Sequence, residues 1–247
     1  MDHPEIEKSR TAFLSLCAAV LLTTFKAVVG FATGSLGILS EALHSALDFV
    51  AAAITWVCVK MSGKPADQDH NFGHGKIENL SALAEAALLF ITCGWIIWEA
   101  VERLLGGHTD VSVGFWSFAV VITSIVVDVT RSRALMKAAK KYKSQALEAD
   151  ALHFSTDILS SAVVLFGLIC TWLGWPSADS FAALGVAAIV ICVSWNLARR
   201  AIDELLDKAP DEARRQIQEI LGKIEGVVKS HDLRVRSAGD KYEIDVN

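Results

Sequence analysis

The chain has 247 residues, a formal net charge of −5, an apolar fraction of 53% and a mean hydropathy of +0.41. An ordinary soluble domain contains about 45–50% apolar residues, so this composition, gathered in long blocks, excludes that class of protein. The net charge carries little information, because the charges of a bilayer protein lie in its loops and tail. We expect no nucleic-acid partner.

Six apolar blocks are long enough, or nearly so, for a transmembrane helix, which needs about 20 residues. They lie at residues 11–33, 37–60, 79–101, 113–130, 147–173 and 178–198. We therefore expect a mainly α-helical protein that spans the lipid bilayer. Its parts are an N-terminal segment at 1–10, a transmembrane domain of six helices at 11–202, and a partial C-terminal domain at 203–247.

Basic residues predict the orientation of these spans. The segment between blocks four and five, from Arg131 to Lys143, carries six basic residues and no acidic one. The loops at the opposite end are short and nearly uncharged: Gly34 to Leu36, Leu104 to Ser112, and Gly174 to Ser177. Because basic residues are enriched in cytoplasmic loops, we expect both termini to be cytoplasmic, which agrees with an even number of spans.

Two similar octets each carry a histidine and an aspartate inside an apolar block. Residues 41–48 read EALHSALD, and residues 150–157 read DALHFSTD. Residues i and i+4 share a helix face, so His44 points with Asp48 and His153 points with Asp157. Charges are costly in a bilayer and need a partner or a wet cavity. Isolated hydrogen bonds between helices would account for one pair, but the repeat favours a single tetrahedral site suited to zinc.

Other acidic residues near the octets leave alternatives open. Glu41 and Asp150 each precede a histidine by three positions. They either hold the second ring nitrogen of that histidine or lie solvated at the membrane interface. Asp128 either pairs with Arg131 or lines a cytoplasmic vestibule. Glu85 either extends to the interface or lines the interior of the helix bundle.

A second group of candidate ligands lies in the loop after block two, which reads DQDHNFGHGK over residues 67–76. Asp67, His70 and His74 fall within eight residues that contain glycine, so the loop can fold around an ion. Three nitrogen and oxygen ligands with an open position suit a peripheral, exchangeable zinc site. A polar loop rich in turn-forming residues explains the composition equally well.

In these motifs the chain resembles the cation diffusion facilitators, which exchange divalent metals for protons. The resemblance covers about residue 10 to the C-terminus and follows the order of six spans. The segments that carry it are GSLGILSEALHSALD, PADQDHNFGHGKIENL, ADALHFSTDILSS, LLDKAPDE and GVVKSHDLRVR.

The resemblance implies roles for particular residues. The transport site would consist of His44, Asp48, His153 and Asp157, and a histidine at the position of His44 accompanies zinc preference in this family. The family's loop site corresponds to Asp67, His70 and His74. A salt bridge between Lys76 and Asp207 would help to hold a homodimer near the cytoplasmic face.

The family's cytoplasmic domain has a ferredoxin-like αββαβ fold that binds further metal. Residues 210–224 predict its first helix, with a proline at the helix start. Residues 231–237 and 241–247 predict two strands, so we expect the domain to be incomplete here by one helix and one strand. His231 matches a metal-ligand position of that domain, whereas Asn247 stands where many members have a histidine.

The function expected from this resemblance is proton-coupled export of zinc from the cytoplasm across a bacterial inner membrane. A passive channel, or a transporter that also accepts cadmium, iron, cobalt or manganese, would share the same ligands and stays open. A membrane metalloenzyme is disfavoured, because the chain has no HExxH motif and its seven histidines are scattered. A bis-histidine haem protein would leave Asp48 and Asp157 unexplained.

Overall fold

A computed structural model describes residues 4–33, 36–106, 115–172, 178–224, 229–238 and 241–247. These residues form six long helices, a shorter seventh helix and a hairpin of two strands. The elements are α1 (Pro4–Thr33), α2 (Leu36–Ser62), α3 (Ile77–Leu104), α4 (Phe115–Tyr142), α5 (Gln145–Trp172), α6 (Ala178–Leu205), α7 (Asp211–Leu221), β1 (Arg234–Ala238) and β2 (Lys241–Asp245).

Four of the described helices are long and apolar enough to cross a membrane. The qualifying stretches are 4–32 in α1, 42–62 in α2, 77–102 in α3 and 183–205 in α6. The chain is therefore mainly helical with membrane-spanning segments, as the sequence predicts. For α4 and α5, the spanning assignment stays a prediction. The short loops expected at 34–36, 104–112 and 174–177 lie largely outside the described residues.

Helix α4 is longer than the sequence predicted. The basic segment that we expected to form a loop continues as helix as far as Tyr142, and Lys143 and Ser144 alone separate α4 from α5. The end of an apolar block marks the limit of the hydrocarbon, not the end of the helix, and the segment after Arg131 is rich in Ala, Lys and Arg, which favour helix. The turn itself uses a positive φ of 50° at Lys143.

The helices lie in three closely packed pairs, α1 with α2, α3 with α6, and α4 with α5. Helix α5 also contacts α2, α3 and α6, so it occupies the centre of the bundle. Phe154, Leu147 and Leu135 form a buried cluster with Val59 and five alanines. Small side chains let helix backbones approach closely, and this places the polar faces of α2 and α5 against each other.

A buried polar network ties the helices together at the end of the bundle where α3 begins. The carboxylate of Glu78 on α3 accepts a hydrogen bond from Lys8 Nζ on α1 (3.0 Å) and from Ser62 Oγ on α2 (3.1 Å). Ser144, which precedes α5, also donates to Glu78. One side chain therefore fixes α1, α2 and α3 against the start of α5.

The C-terminal segment contains the helix and the two strands that the sequence predicts, within narrower bounds. Strands β1 and β2 are antiparallel, with Arg234 opposite Asp245 and Ala238 opposite Lys241. The backbones of His231 and Asn247 continue the pairing beyond the strands, with N–H···O distances of 2.8 and 3.1 Å. Assignment of this segment to a ferredoxin-like domain stays a prediction.

Candidate metal centre

Helices α2 and α5 present the two octets to each other. In each octet the histidine and the aspartate lie one helical turn apart, on the same face. The neighbouring side chains Ser45, Ala52 and Ala151 are small and buried. Because small residues line the contact, the four polar side chains meet without any large apolar group between them.

His44, Asp48, His153 and Asp157, which we call the membrane centre, bring two imidazole nitrogens close to the oxygens of two carboxylates. His153 Nε2 lies 3.2 Å from Asp48 Oδ1 and 3.7 Å from Asp157 Oδ2. His44 Nε2 lies 3.9 Å from Asp48 Oδ1 and 3.8 Å from Asp157 Oδ1. A tetrahedral ion with bonds of 2.0–2.1 Å sets its ligand atoms about 3.3 Å apart. Each imidazole nitrogen therefore lies within about 0.6 Å of this spacing from an oxygen of both carboxylates, and His44, Asp48 and Asp157 converge as one group of candidate ligands.

The four side chains of the membrane centre differ in exposure. The side chains of His153, Asp48 and Asp157 are only 7%, 12% and 14% exposed, whereas that of His44 is 44% exposed. The neighbours of His44 on its own helix, Leu43 and Leu47, are also exposed.

The second ring nitrogen of His153 faces a residue whose role the sequence left open. Glu85 on α3 is 1% exposed, and its Oε2 lies 3.6 Å from His153 Nδ1. The other carboxylate oxygen accepts a hydrogen bond of 3.1 Å from Thr55 Oγ1 on α2. Glu85 therefore lines the bundle interior, and of the two alternatives the extension to the interface is wrong.

Neither role predicted for Asp150 is found. Asp150 is fully buried, not solvated, and it accepts a hydrogen bond from Ser15 Oγ on α1 (3.4 Å) and does not hold His153. The reason is its position one turn before His153, where α5 faces α1 and α4, whereas the ring of His153 turns its Nδ1 towards α3. The side chain of Glu41 lies outside the described residues.

A buried arginine lies between the membrane centre and α1. Arg131 donates from Nε and Nη2 to Ser15 Oγ (3.3 and 3.2 Å), and its Nη1 lies 3.6 Å from Asp128 Oδ1. Its guanidinium carbon lies 3.6 Å from the centroid of the Phe154 ring, an arrangement typical of a cation–π contact. Asp128 therefore pairs with Arg131, the first of the two alternatives for that residue.

Asp67, His70 and His74, which we call the loop cluster, also converge. His70 Nδ1 lies 3.3 Å from Asp67 Oδ1, and His74 Nε2 lies 3.5 Å from Asp67 Oδ2. The two imidazole rings have centroids 4.4 Å apart. Gly73 has a φ of +80°, which allows the chain to turn back between the histidines. The three residues each offer one ligand atom, and these atoms lie within 4.8 Å of one another.

Local hydrogen bonds hold the carboxylate of Asp67. Its Oδ1 accepts from the backbone N–H groups of His70 (2.7 Å) and Asp69 (3.1 Å). The bond from the His70 backbone, with contributions from the His70 ring and from Asp69, lowers the pKa of Asp67 below its ordinary value. Asp67 therefore stabilises a turn through one oxygen, and its other oxygen faces His74. Zinc binding by the loop stays a prediction.

Lys76 and Asp207 form an ion pair within one chain. Lys76 Nζ, just before α3, lies 2.6 Å from Asp207 Oδ1, just after α6, and Arg236 of β1 lies 3.5 Å from the other oxygen. The hydrogen bond from Lys76 lowers the pKa of Asp207, and Arg236 adds to the effect. Asp207 has a φ of 58°, so it sits in the left-handed conformation that ends α6.

His231 stands apart from both groups of candidate ligands. It is exposed, and it pairs with Asn247 through the backbone. Among the described residues, the converging His, Cys, Asp and Glu groups lie in the membrane centre and the loop cluster. A ligand role for His231 therefore stays a prediction.

Comparison with known proteins identifies relatives over nearly the whole chain. Residues 12–206 match the family described as cation efflux transmembrane domain, and residues 209–247 match the cation efflux protein, cytoplasmic domain. The Cation-efflux pump FieF of Escherichia coli (strain K12 / DH10B) is 32% identical over 242 residues, which cover 97% of this chain and 80% of the relative. The pump of the same name from Escherichia fergusonii is 31% identical over 242 residues, with the same coverage of both chains.

Proposed function

This chain belongs to the cation efflux family, the cation diffusion facilitators, and we propose that it exports zinc from the cytoplasm in exchange for protons. It is a membrane protein of a transporter family, not a member of an enzyme family. The observation that carries the proposal is the convergence of two imidazole nitrogens and two carboxylates between α2 and α5.

The ligand set favours zinc among the divalent ions. A tetrahedral set of two nitrogen and two oxygen ligands suits zinc, whereas manganese favours octahedral sites with six oxygen ligands. The ligands of the proposed site include no thiolate, which keeps the affinity moderate, as turnover requires. The relatives are named cation-efflux pumps, a name that specifies no metal, so the choice of zinc rests on this donor set.

Protons and zinc compete for the same atoms in this proposal. Zinc binds neutral imidazole and ionised carboxylate, so protonation of His44 or His153 removes a ligand. His153 Nε2 lies only 3.2 Å from Asp48 Oδ1. When zinc is absent, a proton on His153 Nε2 can therefore balance the negative charge of Asp48. Zinc loading from the cytoplasm would release protons there, and proton uptake outside would release zinc.

Alternating access requires the membrane centre to become accessible from each side of the membrane in turn. The centre lies between α2 and α5, and three of its four side chains are largely buried. We propose that α2 and α5 tilt together relative to the other helices and so expose the centre to each side of the membrane in turn. Spans α4 and α5 complete a six-helix domain in this proposal.

The remaining parts of the chain receive supporting roles. We propose that the loop cluster binds zinc peripherally, that His231 belongs to a further cytoplasmic site, and that the chain works as a homodimer in a bacterial inner membrane with both termini in the cytoplasm. The match to the family's cytoplasmic domain supports dimerisation. The Lys76–Asp207 pair would then fix the orientation of the cytoplasmic segment near the partner chain.

Zinc uptake into inside-out vesicles with an imposed proton gradient tests the proposed exchange. An acidic lumen should drive zinc in against its own gradient, and a protonophore should stop this uptake, while vesicles without the protein take up none. Cadmium, iron, cobalt and manganese compete in the same assay, and weaker inhibition by these ions than by unlabelled zinc supports zinc preference. Uptake that only equalises zinc across the membrane would show a passive channel, and equal competition would show a broad-specificity transporter.

A further inference from the structure

Glu85 is a buried carboxylate that the proposed exchange does not yet use. It lies on α3, which contributes none of the four ligands of the membrane centre, and it is 1% exposed. A carboxylate inside a bilayer is costly unless it meets a partner, so its position needs a physical reason. One oxygen is explained by Thr55 Oγ1, which donates to Oε1 and in turn lies 3.2 Å from Ser81 Oγ.

The other oxygen of Glu85 is directed at the membrane centre. Oε2 lies 3.6 Å from His153 Nδ1, and neither buried atom has a hydrogen-bond partner among the described residues. The separation is only slightly beyond hydrogen-bond range, so a shift of a few tenths of an ångström joins the two atoms. The opposite ring nitrogen, Nε2, faces Asp48 and Asp157.

We propose that Glu85 is a positioning residue for the metal centre: it accepts a hydrogen bond from His153 Nδ1–H and so directs the Nε2 lone pair of that ring at the transported ion. This inference rests on the proposed function. Histidine ligands of metals usually donate their other N–H to a carboxylate or carbonyl, which fixes the tautomer and the ring orientation. Glu85 would thereby connect α3, a helix without ligands, to the site on α2 and α5.

A role in helix packing alone would predict different contacts. If Glu85 only joined α3 to α2, we would expect both of its oxygens to accept hydrogen bonds from hydroxyl groups. The hydroxyl groups of Thr55 and Ser81 are close enough to each other to provide such donors. Instead, Thr55 holds one oxygen and leaves the other facing the imidazole. The two roles also differ in their consequences, because loss of a packing contact lowers stability, whereas loss of ligand orientation lowers metal affinity.

Zinc titration of the purified full-length chain in detergent tests the positioning role. The background is His70→Ala, His74→Ala and His231→Ala, so that neither the loop cluster nor the proposed cytoplasmic site contributes a signal. Glu85→Leu should lower zinc affinity about 10- to 100-fold, the usual effect of removing such a partner. Glu85→Gln keeps a carbonyl oxygen that can accept from Nδ1–H and should restore most of the affinity. Thr55→Val keeps the carboxylate but removes its anchor, so its affinity should fall between those two variants.

Glu78→Gln is the matched control, because Glu78 is another buried carboxylate of α3 and contacts Lys8, Ser62 and Ser144, away from the centre. It should leave zinc affinity unchanged even if it lowers the unfolding temperature measured without zinc. The same measurement on Glu85→Leu, which leaves the Thr55 hydroxyl without its acceptor, separates a loss of stability from a loss of affinity. If Glu85→Leu does not fold, Glu85→Gln and Thr55→Val carry the test.

Three results would overturn the positioning role. They are unchanged affinity in Glu85→Leu, an equal loss in Glu85→Gln and Glu85→Leu, and unchanged affinity in Thr55→Val when Glu85→Leu does not fold. Asp157→Ala in the same background separates this inference from the proposed function. If Asp157→Ala abolishes zinc binding and Glu85→Leu leaves it intact, only the positioning role is wrong. If both bind zinc normally, the membrane centre is not the zinc site and both proposals fall.

Discussion

The membrane centre and the loop cluster contain the same kinds of ligand in opposite settings. In the membrane centre, His153 and Asp48 approach to 3.2 Å although 105 residues separate them along the chain, because packed helices hold both. In the loop cluster, His70 and Asp67 approach to 3.3 Å across three residues, and both side chains are more than half exposed. Tertiary packing sets the first geometry and local turn chemistry sets the second.

This difference determines how each group responds to an ion. Water solvates Asp67 and His70 whether or not zinc is bound, although the side chain of His74 is only 10% exposed, so the empty loop cluster costs less free energy than an empty membrane centre. The ligands of the membrane centre are largely removed from water, so their charges need zinc or protons to balance them. A membrane centre that holds neither zinc nor protons is unfavourable, which supports the zinc–proton exchange that we propose. The loop cluster is more exposed, so this constraint is weaker there.

The largest expected effect is the loss of zinc transport in Asp157→Ala. The carboxylate approaches both histidines of the membrane centre, and Asp150 lies two helical turns away with its own partner, Ser15. Glu148→Ala is the matched control, because Glu148 is a carboxylate of the same helix that pairs with Arg200 at the surface. In the gradient-driven vesicle assay, Asp157→Ala should fall to the rate of empty vesicles and Glu148→Ala should stay near that of the unchanged chain.

An undiminished zinc flux in Asp157→Ala would remove the contrast between the two sites, because the membrane centre would then be no more important than any surface carboxylate. Size-exclusion chromatography of the purified variant separates this case from misfolding. The helix interfaces around the site consist mainly of small residues, so we expect the variant to elute with the unchanged chain.

The double variant His70→Ala with His74→Ala should have an intermediate effect. It removes two ligands of the loop cluster, which lies outside the path that an ion takes through the membrane centre. Zinc flux should fall several-fold at low zinc concentration, because loading is weaker, and recover at high concentration. Asn71→Ala is the control, since Asn71 belongs to the same exposed loop but offers no ring nitrogen. Flux that is abolished at every zinc concentration would place the loop on the obligatory route.

The pairing of ligands on each helix could be predicted from the sequence, because a four-residue spacing has one meaning on an α-helix. That the two pairs face each other followed from the repeated motif and the resemblance, and the structure brings them together. The loop cluster could be predicted for a different reason, since its three ligands lie within a single turn-forming segment. The pairing within each helix and the grouping of the loop ligands could both be predicted because each depends on residues close together in the sequence.

The sequence could not assign Glu85 or Asp150, because their roles depend on which helix lies beside them. Asp150 precedes His153 by three residues and looks like its partner, yet the Nδ1 atom of His153 faces α3. Glu85 lies 68 residues before His153 in a segment without a metal-ligand pattern. Its one signal was a charge in an apolar block, which marks a residue that needs a partner but does not name that partner. The length of α4 was missed because hydropathy reports membrane depth alone.

The smallest expected effect concerns whether contacts with the helix bundle influence the geometry of the loop cluster. Lys76 follows His74 by two residues and pairs with Asp207 at the end of α6, so this pair is the point at which the loop is tied to the bundle. Asp207→Asn removes the charge, and asparagine tolerates the left-handed backbone that Asp207 adopts, so the variant adds no backbone strain. Asp207→Ala removes the charge and adds that strain.

Zinc titration in the background of Asp157→Ala with His231→Ala reports the loop cluster, because both other proposed zinc sites then lack a ligand. A partly exposed ion pair contributes about 1 kcal/mol or less, so Asp207→Asn should weaken zinc binding by the loop at most about fivefold, and less at high salt. Because Lys76 lowers the pKa of Asp207, the pair persists above the ordinary aspartate pKa and is lost only as the pH falls through the lowered value. The difference in zinc affinity between the chains with and without Asp207→Asn should therefore be constant from about pH 5 to 8, well above the ordinary aspartate pKa near 3.9. A loss as large as that expected for Glu85→Leu at the membrane centre would show that the loop is positioned by the helices after all, and the contrast between the two sites would be one of exposure alone.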